Sequence, residues 1–123
     1  MRARLAVTLA IITSLAETRA QDLNALGKIY VLEATNVARQ VLVAEFSKHP
    51  ERIHHLAIMF TFQVDARGRP HNVKIASKTR DAWAVDTARR ALGAANYPPI
   101  PRQIVQSGSD LVNLEGDFSA DAP

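Results

Sequence analysis

At 123 residues the chain makes one domain at most, and with no cysteine it excludes disulfide staples, zinc–thiolate centres and thiol catalysis. Its 15 Lys and Arg against 12 Asp and Glu give a formal charge of +3, but the excess sits in the first twenty residues. Setting aside Arg2, Arg4, Arg19 and Glu17 leaves 12 basic against 11 acidic residues. Nucleic-acid binding wants clustered Lys and Arg with interleaved aromatics; Arg89-Arg90 and the scattered Lys74, Lys78 and Arg80 read instead as a solvated face.

Residues 1–20 have the order of a secretory signal. Arg2 and Arg4 precede an apolar run, Leu5–Ala16, and both Ser14-Leu15-Ala16 and Thr18-Arg19-Ala20 fit the small-x-small cleavage pattern. That run falls short of the roughly 20 apolar residues a bilayer span needs. The expectation is a cleaved signal, with membrane attachment only if the segment stays uncleaved. The remainder would bury about 60–65% of its unfolded surface, enough for a core of modest stability.

The next segment, 21–48, predicts a helix. Leu23, Leu26, Tyr30, Ala34, Val37, Val41 and Ala44 recur at three- and four-residue steps, with Glu33, Arg39, Gln40 and Glu45 on the other side. Asp22 is placed to cap it, and Pro50 ends it. A polar connector, 49–55, leads into the clearest strand in the chain. Leu56, Ile58, Phe60, Phe62 and Val64 point one way, and Ala57, Met59, Thr61 and Gln63 the other.

Asp65-Ala-Arg-Gly68 has the residue preferences of a type I turn. The strand that returns, 69–76, carries Val73 and Ile75 inward. Pro70 at its start cannot donate to a ladder, which puts this strand at an edge and the first strand at the centre. A helix over 81–95 follows, with Ala84, Val85, Ala88, Ala91 and Leu92 facing the sheet, Asp86, Arg89 and Arg90 facing water, and Trp83 closing one end of the core. Pro98-Pro99 stops it. A third strand, 111–118, places Val112, Leu114 and Phe118 inward. The fold class is thus α+β: a three-stranded antiparallel sheet of order 2-1-3 packed by two helices, with 119–123 a frayed tail.

The hairpin Phe60-Thr-Phe-Gln-Val-Asp-Ala-Arg-Gly-Arg69, the strand Asn72-Val-Lys-Ile-Ala-Ser77, the helix Trp83-Ala-Val-Asp-Thr-Ala-Arg-Arg-Ala-Leu92 and Tyr97-Pro-Pro-Ile-Pro101 together resemble the C-terminal domain of TonB and TolA proteins. Asp86-Thr87-Ala88 matches that family's "D-x-A", and the helix carrying Tyr30 is similar to the one preceding the sheet in the TolA-like branch. The resemblance covers 49–118 well and the first helix loosely. It implies a periplasmic protein-interaction module whose partner, an outer-membrane transporter or other envelope protein, adds a strand to the exposed sheet edge. That edge is Leu111, Val112, Asn113, Leu114, Glu115, Gly116 and Asp117, with Leu111, Asn113 and Glu115 outward. The opposing expectation is that Glu115, Gly116 and Asp117 blunt the edge. The family also carries a membrane anchor and a long spacer; the expectation here is no spacer, and no anchor if the signal is cleaved, which favours a stand-alone adaptor over an energy transducer. An alternative from another class is a structural homodimer paired through its free edge.

Chemistry has little purchase on these residues. His54 and His55 are adjacent and would point to opposite faces of a strand, His49 lies on the connector, and His71 has no carboxylate at helical or strand spacing to orient it. Ser77, Ser107 and Ser109 lack a nucleophile-elbow context. Asp65 and Asp81 have turn and cap roles. The expectation is no catalytic residue, no metal and no cofactor.

Overall fold

The computed structural model describes residues 5–78 and 80–120, with side chains from Asp22 onward. Strict alternation makes strand β1, Leu56–Asp65, and buries Leu56, Ile58, Phe60, Phe62 and Val64. The chain reverses over Asp65–Gly68, where the Gly68 N–H donates to the Asp65 carbonyl at 2.9 Å. Gly68 takes φ +86, and a Cβ there would fall on the Tyr97 carbonyl oxygen; both demands select glycine.

Strand β2, Pro70–Ser77, returns antiparallel. Its register moves from Thr61↔Lys74 to Gln63↔His71, so β2 carries one extra residue opposite Phe62. This bulge holds Asn72 at φ 55, a left-handed position that asparagine tolerates.

Helix α2, Ala82–Ala94, starts as its cap residue directs: the Asp81 carboxylate accepts from the Ala84 N–H at 3.2 Å. It buries Ala84, Thr87, Ala88 and Leu92. Beyond it the proline-rich segment is pinned to the hairpin, with the Tyr97 N–H on the Gly68 carbonyl at 3.1 Å and the Ile100 N–H on the Ala66 carbonyl at 3.2 Å. A short helix α3, Arg102–Gln106, buries Ile104, and Gly108 at φ +106 turns the chain into strand β3, Leu111–Ala120. The sheet order is β2-β1-β3 with both pairs antiparallel, as the sequence predicts.

Helix α1 runs from Leu5 to Phe46. Its buried stripe is Tyr30, Ala34, Ala38, Leu42 and Phe46, one residue every fourth position. Phe46 stacks on Phe118 at 5.7 Å and meets the edge of Trp83 at 5.6 Å, while Arg52 lies over the Trp83 ring at 4.3 Å. This cluster closes one end of the core, the end that Trp83 was expected to cover.

Several expectations are corrected. Asp22 caps nothing, because no Pro or Gly interrupts 5–22 and the helix continues through it. The inward stripe of α1 drifts to Ala38, Leu42 and Phe46, leaving Ala44 exposed, since strict four-residue steps gain about 40° per step on a 3.6-residue helix. Thr87 joins the core face of α2. His54 and His55, by contrast, lie on bends within the connector where they were expected. Ser119 and Ala120 pair with Ala57 and Leu56, so the strand continues into what was expected to be tail. Arg2, Arg4 and 121–123 lie outside the described residues. Among the described residues no helix is long and apolar enough to cross a membrane.

Candidate functional site: the free edge of β3

Backbone direction in β1 decides what β3 offers. The Asp65 N–H donates to the Arg69 carbonyl at 3.0 Å, and the Ala57 carbonyl accepts from the Lys78 N–H at 3.0 Å. Odd-numbered residues of β1 therefore aim their backbone at β2, and even-numbered ones at β3. Val112, Leu114, Gly116 and Phe118 oppose Val64, Phe62, Phe60 and Ile58, so their N–H and C=O groups are spent on β1. Those of Leu111, Asn113, Glu115 and Asp117 point away from the sheet. The pairing holds from Leu56↔Ala120 to Asp65↔Leu111 without a break in register, which leaves an uninterrupted row of outward donors and acceptors.

Side chains divide in the same way. Leu111, Asn113, Glu115 and Asp117 are exposed; Leu114 is buried, and Val112 and Gly116 are half-buried. Gly116 answers to packing rather than to edge protection: a Cβ on it would come within 2.7 Å of the Phe60 ring. On the open face of the sheet an amide ladder crosses all three strands. Asn72 donates to Gln63 Oε1 at 2.8 Å, and Gln63 Nε2 donates to Asn113 Oδ1 at 3.0 Å. Sequence reasoning missed this ladder. Each residue sits at a polar position of its strand, but only the register brings the three into line.

Beside the edge lies a groove of about 750 Å³ between α1, α3 and β3, lined by Leu23, Val31, Leu32, Ile104, Leu111 and Val112, with Lys28 on the helix side. Leu32 is 71% exposed, Val43 51% and Leu111 47%. Nothing in a linear pattern marks these residues as neighbours, because the groove exists only once α1 lies along β3.

The hairpin end carries a histidine–carboxylate pair that the sequence did not predict. His71 Nε2 is 2.8 Å from Asp65 Oδ2, since the turn folds residue 71 back over residue 65, a proximity that spacing within one element cannot show. Asp65 Oδ1 also accepts from the Arg67 and Arg69 N–H groups, at 2.9 and 3.0 Å. The His71 bond first, and these amides with it, hold the carboxyl down at about 2. The Tyr30 hydroxyl donates to the Pro98 carbonyl at 2.7 Å. Burial, then the negative charges of Asp65 and Glu33, push Tyr30 up to about 12. Burial also raises Tyr97, whose hydroxyl donates to the Leu92 carbonyl at 2.9 Å. These groups knit the hairpin, the proline segment and α1 together. Among the described residues no group of three His, Asp or Glu side chains is placed to hold a metal ion.

No family model matches the chain, and neither a curated protein nor a solved structure does.

Proposed function

We propose that the chain is a protein-interaction module of the periplasm that captures an extended segment of an outer-membrane transporter or other envelope protein by strand addition along β3. The resemblance to TonB and TolA C-terminal domains supplies the compartment and the partner class. The observation that carries the reading is physical: β3 pairs with β1 over its whole length without a bulge, so its outer row of backbone groups is straight and uninterrupted. Such a row takes an added strand through main-chain hydrogen bonds, while side-chain pockets set specificity.

Replacing Asn113 by Pro tests it. The substitution deletes an outward donor and leaves the β1–β3 ladder intact, as proline at an edge position does. Asn113→Ala is the control, because it removes the same amide side chain and keeps the N–H. Pull-down from outer-membrane extract is expected to retain partner with Asn113→Ala and lose it with Asn113→Pro, both variants giving the wild-type circular dichroism spectrum. Equal capture by the two variants would remove the edge from the mechanism. The competing homodimer reading predicts a monomer–dimer equilibrium in sedimentation across a concentration series; a monomer throughout excludes it.

A further inference from the structure

The two sides of a strand added to β3 meet different chemistry. Residues of the incoming strand opposite Leu111, Asn113, Glu115 and Asp117 project onto the open face, and those opposite Val112, Leu114 and Gly116 project onto the helix face, because paired residues of neighbouring strands share a face.

On the open face the edge is acidic. Glu115 and Asp117 are both exposed, and among the described residues neither carboxylate has a Lys, Arg or His within ion-pair distance. Lys74 shares the row of Glu115, but Thr61 lies between them, and two strand spacings put their Cα atoms about 10 Å apart. Opposite charges directly across a strand pair are stabilising, and like charges are not.

On the helix face the surroundings are apolar. Leu32 lines the groove together with Leu111 and Val112. Val43 follows Leu32 by eleven residues, three helical turns, and so lies on the same side of α1. Two of the exposed large apolar side chains thus sit along the flank of α1 that borders the edge. Lys28 and Arg39 share this flank, and long basic side chains lay their stems along such a surface with the charge in water.

We propose that the partner segment alternates apolar and basic residues, its apolar side chains seated against Leu32 and Val112 in the groove and its basic side chains over Glu115 and Asp117. This rests on strand addition at β3 and names the chemistry of what is added. A second copy fits poorly as the occupant. Its β3 would bring a second Glu115 and Asp117 onto the same face, and its basic β2 edge is interrupted by Pro70 and by the bulge at Asn72.

The experiment is fluorescence anisotropy with four capped, fluorescein-labelled octapeptides that alternate Val-Lys, Val-Glu, Val-Ser and Ser-Lys, titrated with the full chain. Val-Lys is expected to bind at least about tenfold more tightly than Val-Glu and than Ser-Lys, with Val-Ser between. Glu115→Lys/Asp117→Lys is expected to reverse the order of Val-Lys and Val-Glu, and Leu32→Asp to weaken Val-Lys without improving Ser-Lys. Equal affinity for Val-Lys and Val-Glu, both abolished by Asn113→Pro, would overturn the charge assignment and leave strand addition standing. Equal affinity for Ser-Lys and Val-Lys would overturn the groove. Absence of binding by all four overturns strand addition together with this inference. Self-association of the chain that the Val-Lys peptide competes away would make a second copy the occupant and overturn the inference in that form.

Discussion

The two edges of this sheet are built to opposite ends. The β2 edge begins with Pro70, carries an extra residue opposite Phe62 with Asn72 at φ 55, and exposes Lys74. Proline, bulges and lysine are the devices by which proteins keep a free edge from pairing. The β3 edge has none of them: it is regular from Leu111 to Ala120, its charges are acidic, and an apolar groove runs beside it. Proline, bulge and lysine therefore stand at one edge only. A chain that needed both edges silent would gain nothing by leaving β3 straight. The contrast marks β3 as the edge left open to pairing and β2 as the edge kept from it.

The glycine in β3 tests the contrast most severely. If Gly116 were an edge breaker, Gly116→Ala would leave stability unchanged and strengthen pairing. Because a Cβ there meets the Phe60 ring at 2.7 Å, overpacking should instead cost about 1–3 kcal/mol, read as a lower urea midpoint at unchanged m-value. A neutral result would return Gly116 to the protective role.

Acid should loosen the two edges in sequence. The Asp65 carboxyl lies below its ordinary 3.8, at about 2. A depressed folded-state pKa contributes stability that is present above the unfolded value and is lost as pH falls from about 4 toward 2. Amide exchange at Arg67 and Arg69 should therefore accelerate over that window, while amides of β3 that bond to β1 remain protected. Asp65→Asn should remove the pH dependence. Simultaneous loss at both edges would mean that Asp65 does not set the hairpin apart.

The smallest effect is expected at Pro70. Its missing N–H faces away from β1, because the neighbouring Arg69 bonds inward to Asp65. Pro70→Ala restores an outward donor at an exposed position, where stability should change by less than about 0.5 kcal/mol. Sedimentation should remain that of the wild-type chain while the bulge persists. Association of Pro70→Ala alone would show that this one residue silences the β2 edge.

Much of the fold was legible in the residues. The alternation over 56–64, the Asp-x-x-Gly turn, Pro70 at an edge, the Asp81 cap and the third strand led to the observed order β2-β1-β3. These features are local: period-two burial, turn chemistry and a missing donor act within a few residues, so a linear pattern carries them. The alternation in 111–118 likewise foretold which side chains of β3 lie in and which lie out. Less of the site was legible. The Asn72–Gln63–Asn113 ladder joins residues from three strands, and the His71–Asp65 pair arises from the fold-back of a turn. Gly116, weighed in the sequence as part of the pairing edge or as an edge breaker, leaves the space that the Phe60 ring occupies.

What the sequence determined by itself is that β3 exists, lies at an edge and turns Leu111, Asn113 and Glu115 outward. What only the tertiary structure decided is that this edge is straight, is acidic on one face and is flanked by an apolar groove on the other. Register and the course of α1 are set by contacts between residues dozens of positions apart, and those contacts exist only after the chain has closed on its core.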